Sequence, residues 1–353
     1  MEATNIHVDD LWPYVMTYLP ADLDEGARAW EALKRCRGVP NASALLRMIL
    51  AYGITDLSLK DVAAWAHAAN VAEVSGPGLF YRVREAEKWL SALLADVLGQ
   101  SVSPPKVGGL RLRIVDATVI TGPGAVGTEW RIHMQLDPGA ARLCAVEITD
   151  EHEGEGYARY HVSVGDVILG DRGYAHASGV AWVHTHGGYV VARANPHTIR
   201  LCRTDRTVLN VLDERCKVPR VGVYTLVIEI PIPPVQRSRS HKTWSLNKAS
   251  AWIPGRLLGA RTRLGDIIWV LTTVPDHLAS DTQIMDLYRV RWQVELLIKR
   301  LKSLLGIDGL PSRKGPTARS WLLARLLAAA LAQELVQPSG GFPPWGYNLH
   351  VQQ

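Results

Sequence analysis

Hydrophobic residues recur at helical spacing in residues 280–306. Six apolar positions follow at steps of three, four or seven residues: Ile284, Leu287, Val294, Ile298, Leu301 and Leu305. Ser280 and Gln283 have the spacing of a capping box, and Gly306 stands where a glycine commonly ends a helix. The pattern therefore predicts one long helix from Ser280 to Gly306 with one buried face.

A polar stripe runs beside that buried face. It consists of Tyr288, Arg291, Glu295 and Lys302. At about 100° per residue, these positions project within roughly 60° of one another. Alone, such a stripe is typical of a solvated helix edge with ion pairs such as Arg291 with Glu295. The alternative is a metal-binding carboxylate flanked by phosphate-binding groups, and it requires partner carboxylates elsewhere in the chain.

The first 103 residues carry helical patterns throughout. Helices are predicted over residues 24–37, 42–52 and 79–99. A further helix is predicted to begin at a capping box at Ser58. The helix over residues 79–99 has a basic side. Short helices, a turn and a basic helix are typical of a DNA-binding helix-turn-helix, and a plain helical bundle is the alternative.

The strand patterns begin at residue 111. Residues 111–121 are predicted to form a buried strand with Asp116 in its middle. An aspartate inside an apolar strand is costly unless it is paired or binds a metal. Residues 130–136 and 142–148 are predicted to form a hairpin, because a turn sequence, Asp-Pro-Gly, lies between them.

A second aspartate follows the next predicted strand. After a short polar segment, interpreted as one helix over residues 156–161, residues 167–170 form a strand that ends at Asp171. Gly173 allows a sharp backbone turn there, and a helix is predicted from Tyr174 to about residue 186. Acidic residues at the ends of neighbouring strands suit metal-dependent phosphoryl chemistry. A role as a helix cap or turn residue is the alternative for Asp171.

These motifs together resemble a known family. Asp116 in Ile-Val-Asp-Ala-Thr, Asp171 in Asp-Arg-Gly-Tyr and Glu295 in Tyr-x2-Arg-x3-Glu-x6-Lys match the DDE transposases of the insertion-sequence-four group. The resemblance covers about residues 20–310. It implies that the three acidic residues are catalytic and bind two divalent ions, Mg²⁺ or Mn²⁺ as a substitute. It also implies a cut-and-paste transposase that cleaves element ends through a hairpin and joins them to target DNA.

The expected fold class is α/β: a ribonuclease-H-like core with a β-rich insertion, preceded by a helical N-terminal DNA-binding domain. The expected divisions are a helical region (1–103), the first part of the core (104–195), the insertion (196–276), the second part of the core (277–337) and a flexible tail (338–353). An insertion is expected because the chain between Asp171 and Glu295 is longer than a ribonuclease-H-like core alone requires. Its predicted strands are residues 207–211, 221–231, 249–253 and 265–274.

Basic and aromatic residues mark the expected DNA contacts. A basic loop precedes Trp244, and an aromatic side chain there suits stacking on an unpaired base. Core packing is the alternative for Trp244, and Trp252 is a second candidate for the base. The resemblance implies that polar groups of the Ser280–Gly306 helix bind phosphates near the break. The full set of residues expected to contact DNA is Tyr288, Arg291, Lys299, Lys302, Trp244, Arg237, Arg239, Lys242, Arg313 and Lys314.

Composition and charge are consistent with this interpretation. The 353 residues are 47% hydrophobic and 21% charged, which is enough for a large core, and the net charge of +5 favours an acidic partner such as nucleic acid. The four cysteines lack paired metal-binding spacing and suit a reducing cytoplasm. The expected partners are double-stranded DNA, at inverted-repeat ends and in the target, and a second copy of the chain on DNA. No membrane partner is expected, and the expected location is the bacterial cytoplasm at the nucleoid.

Two other functions remain open at this point. A ribonuclease-H-like nuclease that does not transpose would cut DNA without joining it. A catalytically silent DNA-binding protein derived from a transposase would do neither. Three carboxylates at these positions argue against the silent protein, because binding alone does not require them.

Overall fold

The computed structural model describes residues 12–99, 110–121, 130–138, 142–195, 198–234, 245–262, 264–289, 291, 306, 310 and 315–336. The predicted tail over residues 338–353 and most of the second half of the Ser280–Gly306 helix lie outside these ranges. Across the described residues, no helix has both the length and the apolar character needed to cross a membrane.

Within the described ranges, eight strands form one mixed sheet. The strands are β1 (Arg111–Ile120), β2 (Trp130–Asp137), β3 (Arg142–Asp150), β4 (Asp166–Gly170), β5 (Tyr189–Arg193), β6 (Tyr224–Ile232), β7 (Ala251–Arg261) and β8 (Ile267–Thr272). Their order across the sheet is β3-β2-β1-β4-β5-β8-β7-β6. The pairs β1–β4 and β4–β5 are parallel, and the other neighbours are antiparallel. The predicted α/β class is therefore confirmed.

The strands of the predicted insertion extend the same sheet. β8 pairs with β5, with Ala192 opposite Leu271, and β7 and β6 follow outward. The predicted strand over residues 207–211 was wrong, because that segment makes only an isolated bridge between Cys202 and Val208. β7 runs well beyond its predicted end at Ile253, because it continues through a Pro-Gly pair that normally interrupts a strand.

Helices flank the sheet. They are α1 (Trp12–Thr17), α2 (Leu23–Ala29), α3 (Ala42–Ile54), α4 (Leu59–Ala68), α5 (Gly76–Glu85), α6 (Glu87–Gly99), α7 (Ala177–Thr185), α8 (residues 281–289) and α9 (Gly315–Val336). The capping box at Ser58 is present, with the N–H of Asp61 donating to its hydroxyl. The single helix predicted over residues 79–99 was wrong, because the chain breaks into α5 and α6 at Ala86.

The first predicted helix ends early for a local reason. It was expected to reach residue 37, but α2 stops at Ala29. Glu31 has a left-handed φ of 61°, and the N–H groups of Ala32 and Leu33 both donate to the carbonyl of Ala27. A left-handed residue with such backbone bonds is a common helix end, but it usually carries glycine, so the sequence gives no sign of it.

One hydrophobic core joins the two ends of the chain. The N-terminal helices and α9 pack together and against the sheet residues Ile114 and Leu169. A Cβ atom on Gly53 of α3 would lie 2.7 Å from the Cβ of Ala324 in α9, so the two helices make close contact. The N-terminal region is therefore helical, as predicted. Its role in DNA binding and the predicted domain boundaries remain predictions.

The opposite face of the sheet carries a second core. Val115, Ile168 and Val190, from three neighbouring strands, pack there with Val180 and Val183 of α7. β1, β4 and β5 are therefore covered on both faces, as parallel strands usually are. The candidate site lies at the carboxyl ends of β1 and β4, between the core formed with the N-terminal helices and the core formed with α7.

Candidate active site

Asp116 and Asp171 lie side by side at the end of a parallel strand pair. The register of β1 with β4 runs from Arg111 opposite Asp166 to Ile114 opposite Leu169. Asp116 and Asp171 each follow the last of these pairs by two residues, so they occupy the same level on adjacent strands. Because side chains alternate along a strand, both lie on the face of Ile114 and Leu169, against which the N-terminal helices, α8 and α9 pack.

The mid-strand position of Asp116 is explained by the unequal lengths of these strands. β4 stops at Gly170, while β1 continues to Ile120 and remains paired with β2. Asp116 is therefore in the middle of β1 and also at the carboxyl end of the parallel pair. It is half-buried, and its Oδ1 accepts the N–H of Ala117 at 2.8 Å.

Asp171 combines a turn role with this placement. It precedes a short 3₁₀ turn, Arg172–Tyr174, and its Oδ1 accepts the N–H of Gly173 at 2.7 Å. The alternative interpretation of Asp171 as a capping residue is therefore correct for one of its oxygens. The helix predicted to start at Tyr174 was misplaced, because α7 begins only at Ala177, after an extended His176.

The start of α8 carries Tyr288 to the same place. The predicted capping box is present: the N–H of Ser280 donates to Gln283 Oε1 at 2.8 Å, and the N–H of Gln283 donates to the Ser280 hydroxyl at 3.3 Å. Burial raises the pKa of Tyr288, the Asp171 carboxylate adds to that rise, and the cations of Arg291 and Arg193 oppose it. The charge of Asp171 therefore acts on the Tyr288 phenol.

Arg291 lies on the same side of this helix as Tyr288. Its guanidinium is 5.7 Å from the centroid of the Tyr288 ring. The two residues are separated by three positions, which is the spacing at which helical side chains meet. One predicted phosphate-binding arginine is therefore held against the predicted tyrosine.

The outer strands β6 and β7 hold the first turn of α8. Arg256 of β7 forms an ion pair with Asp281, and its Nη2 donates to the carbonyls of Val274 at 2.9 Å and Ala279 at 2.8 Å. Thr225 of β6 donates its hydroxyl to Asp281 Oδ2 at 2.6 Å. Arg256 is buried. Arg256 lies beyond the predicted end of its strand at Ile253, so the sequence pattern did not reveal its role.

The other predicted site residues lie outside the part of the chain that the structure describes. They are Glu295, Lys299, Lys302, Trp244, Arg237, Arg239, Lys242, Arg313 and Lys314. Trp252, the second candidate for base stacking, lies in β7 and is half-buried. The guanidinium of Arg206 lies 4.8 Å from the centroid of its ring.

Sequence reasoning also missed the segment between β3 and β4. The helix predicted over residues 156–161 is only a 3₁₀ turn, Tyr157–Arg159. A Cβ atom on Gly173 would overlap Glu155 Oε2 and would lie 3.1 Å from Asp171 Oδ1, so the two carboxylates share one small space. Burial raises the pKa of Glu155, and the charge of Asp171 adds to the rise. The only sequence signal was an acidic, glycine-rich run before Tyr157.

The donor chemistry of this corner suits a hard divalent cation. Carboxylate oxygens are the preferred ligands of Mg²⁺ and Mn²⁺, and Asp116 and Asp171 present them on one face. Within the described ranges, no group of three or more His, Cys, Asp or Glu residues is placed to hold a metal ion.

Comparison with known proteins identifies the family. The model of the transposase DDE domain matches residues 108–331, which is more than half of the chain. The chain belongs to the DDE transposase family. It is 32% identical, over 95% of its length and 96% of the relative's, to the transposase InsL for insertion sequence element IS186A of Escherichia coli (strain K12). The transposase for insertion sequence element IS421 of Escherichia coli is 31% identical over equal shares.

These matches confirm the predicted transposase of the insertion-sequence-four group. The transposase is an enzyme that cleaves DNA and transfers strands, and enzymes of this family use divalent metal ions. Its fold resembles that of the piggyBac transposase in a cryo-EM structure of its synaptic complex with hairpin DNA. The TM-score is 0.51 at 10% identity, and the match covers 93% of this chain and 74% of the other.

Proposed function

We propose that this transposase moves its element by a cut-and-paste reaction and that Asp116, Asp171 and Glu295 are its catalytic residues. The observation that carries the proposal is the register of Asp116 with Asp171 on the sheet face against which α8 packs. Two acidic side chains at one level of adjacent parallel strands suit two-ion phosphoryl transfer.

Glu295 is proposed as the third ligand from its spacing to Tyr288. Tyr288 packs against the core near Asp171, and Glu295 follows it by seven residues. Seven residues are about two helical turns, so a continuous helix would carry Glu295 on the side of Tyr288. This placement would add a third carboxylate to the two on the sheet.

These carboxylates would hold Mg²⁺, or Mn²⁺ as a substitute, with two ions per site. Bound ions supply activation of the attacking oxygen and stabilisation of the leaving oxygen. Asp171 Oδ1 already accepts a backbone N–H, so the carboxylate is oriented before any ion binds. Asp116 is oriented in the same way by the N–H of Ala117.

The proposed chemistry is a series of attacks at phosphorus. Water first attacks the phosphorus at the element end, and the 3′-oxygen leaves as a free hydroxyl. That 3′-hydroxyl then attacks the phosphorus on the opposite strand, the 3′-oxygen of the flanking DNA leaves, and the element end closes as a hairpin. A second water attacks the hairpin phosphorus, and the 3′-oxygen of the element leaves again as a free hydroxyl. In the last step the 3′-hydroxyl of the element attacks target DNA, and a target 3′-oxygen leaves.

Positive side chains would hold the DNA during these steps. Tyr288, Arg291, Lys299 and Lys302 would contact phosphates near the break, since arginine forms bidentate phosphate contacts. The loop of the insertion would contribute Arg237, Arg239 and Lys242, and Trp244 would stack on a base flipped out of the DNA. The loop that follows the Ser280–Gly306 segment would contribute Arg313 and Lys314.

The N-terminal helices would bind the inverted-repeat ends as a helix-turn-helix. Arg82 of α5 is committed to the fold, because its Nη2 donates to the carbonyls of Arg35 at 3.1 Å and Arg37 at 2.7 Å. DNA binding by this helix would therefore depend on the exposed Arg84 and on Lys88 just beyond it. The active form on DNA would be a homodimer, acting on the nucleoid in the bacterial cytoplasm.

An end-cleavage experiment tests this proposal. Purified protein is incubated with Mg²⁺ and a duplex that carries the inverted repeats flanking its gene, beside the Asp116→Asn variant. The parent should produce end-specific nicks, hairpins and joined products. Asp116→Asn should bind the ends with unchanged affinity and produce none of them, because it loses an ion ligand but no docking surface.

The products also separate the alternatives. Cutting by the parent without joining would indicate a nuclease that does not transpose. Binding without cutting in either Mg²⁺ or Mn²⁺ would indicate a silent DNA-binding protein. Loss of end binding in Asp116→Asn would assign that residue a structural role.

A further inference from the structure

The segment between β3 and β4 places an additional carboxylate at the proposed catalytic centre. We propose that Glu155 is a positioning residue of the divalent-ion site, where its negative charge increases the affinity of the Asp171 side for the cation. This inference rests on the proposed function of Asp171. It concerns a residue outside the three acidic positions that the family motifs mark.

The closeness of Glu155 to Asp171 is the first observation. A Cβ atom built on Gly173 would overlap Glu155 Oε2 and would lie 3.1 Å from Asp171 Oδ1. The absence of a side chain at Gly173 therefore makes room for the Glu155 carboxylate. Glu155 is half-buried, so water screens its charge less than it would on an open surface.

The negative charge of Glu155 is only partly offset by a neighbouring cation, Arg131. Within the described ranges, Glu155 makes no hydrogen bond and no ion pair through its side chain, whereas its neighbour Glu153 pairs with Arg159 at 2.5 Å. Two carboxylates that share a partly buried space repel each other unless a proton or a cation lies between them. A divalent cation at Asp171 would remove this repulsion, and the energy released would strengthen cation binding.

Tyr157 provides an independent observation at the same place. Its side chain is fully buried, and its hydroxyl has no hydrogen-bond partner in the described part of the chain. A Cβ atom on Gly170, the residue before Asp171, would lie 2.6 Å from that hydroxyl oxygen. A buried hydroxyl without a partner is costly, so the end of β4 next to Asp171 carries, among the described residues, a polar group that its own packing leaves unsatisfied.

We assign Glu155 an effect through its charge and no direct bond to the ion. The described acidic residues do not form a group of three that could hold one ion. Among the described residues Glu155 completes no ligand group, and we assign it the role of an outer neighbour of the ion ligands, as carboxylates around metal sites commonly are. Removal of such a neighbour typically weakens metal affinity about 10-fold to 100-fold.

The test measures Mn²⁺ binding to the full-length protein without DNA, from the electron paramagnetic resonance signal of free Mn²⁺. Glu155→Gln should weaken Mn²⁺ affinity at least about 10-fold. Glu151→Gln, in the same segment but exposed, removes the same charge and should leave the affinity unchanged. Equal affinity of the parent and Glu155→Gln would overturn the proposal.

Asp171→Asn distinguishes this failure from failure of the proposed function. If Asp171→Asn loses Mn²⁺ affinity but Glu155→Gln does not, the catalytic proposal stands and the role of Glu155 is refuted. If Asp171→Asn also binds as the parent does, the proposed ion site itself is refuted.

A second measurement uses only the parent protein and does not depend on folding of a variant. Fe²⁺ replaces Mn²⁺, and ascorbate with peroxide generates hydroxyl radicals that cut the backbone near the bound ion. Mass spectrometry should find cuts at residues 153–157 as well as beside Asp171. Cuts beside Asp171 without cuts at residues 153–157 would overturn the proposal.

Discussion

Asp116 and Asp171 differ in how readily the sequence reveals them. Asp116 interrupts an apolar strand, and this cost predicted a special role. Asp171 has the appearance of an ordinary turn residue, and it does accept the N–H of Gly173. Glu155 was missed, because its proximity to Asp171 depends on how a segment 16 residues earlier folds back over the sheet. No local pattern encodes that contact.

Gly173→Ala tests the shared space at the site. The added Cβ would overlap Glu155 Oε2, so this flexible side chain must move while the backbone stays in place. We expect end cleavage to fall at least about 10-fold, since small displacements of catalytic groups are costly, with a nearly unchanged melting temperature. Gly154→Ala is the control, because its Cβ would meet nothing within 4 Å. Equal cleavage by the two variants would contradict this expectation.

His133 predicts a pH dependence of stability. It is fully buried beside Thr149, with 2.9 Å between Nε2 and the Thr149 hydroxyl. Burial, together with the charges of Arg159 and Arg131, lowers the pKa of His133 from 6.5 to about 4. Its contribution to stability is therefore complete above pH 6.5 and is lost as the pH falls towards 4. The loss is at most roughly 3 kcal/mol.

Urea unfolding between pH 7 and pH 4.5 measures this effect. The free energy of unfolding of the parent should fall over that range, and the fall should be smaller in His133→Gln. The control is His152→Gln, whose imidazole is exposed. An identical pH dependence in the parent and His133→Gln would show that His133 does not titrate as described.

The sequence predicts the helices and strands whose hydrophobic residues follow the regular spacing of that element. It misses the features that depend on contacts with residues far away in the sequence. β1 and the β2–β3 hairpin follow their predictions closely. The break at Ala86 and the continuation of β7 through Pro254 were missed, since packing against neighbouring elements overrides the local pattern there. The anchoring of α8 by Arg256 was missed for the same reason.

Arg256→Met tests how β7 positions α8. The variant leaves the carbonyls of Val274 and Ala279 without this donor, and Asp281 keeps only the hydroxyl of Thr225. We expect a loss of roughly 3 kcal/mol in the free energy of unfolding, because one partner of a buried ion pair is removed. End cleavage should fall with it, since α8 carries Tyr288 towards Asp171.

Arg289→Met on α8 is the matched control. Arg289 pairs with Asp286, and their side chains are 78% and 58% exposed. Such a pair contributes at most about 1 kcal/mol. Chemical denaturation of both variants provides the comparison. A similar loss of stability in both would show that Arg256 does not anchor the helix.

Over the whole molecule, residues far apart in the sequence share one core and one sheet. The N-terminal helices pack with α9, and the strands after residue 196 extend the sheet of the first half. Sequence patterns predicted the α/β class and the order of elements, but not this continuity, because strand pairing across the boundary leaves no mark in either segment. The same long-range packing places α8 beside the strands of Asp116 and Asp171.

The central claim is that one active site is built from carboxylates on both halves of the chain. The most direct test is cleavage of an inverted-repeat duplex in Mg²⁺ by the parent, by Glu295→Gln and by Asp286→Asn. Asp286 is exposed on α8 and serves as the matched control. The account predicts that all three proteins bind the ends and that only Glu295→Gln fails to cut. Cleavage by Glu295→Gln at the rate of the parent would contradict it.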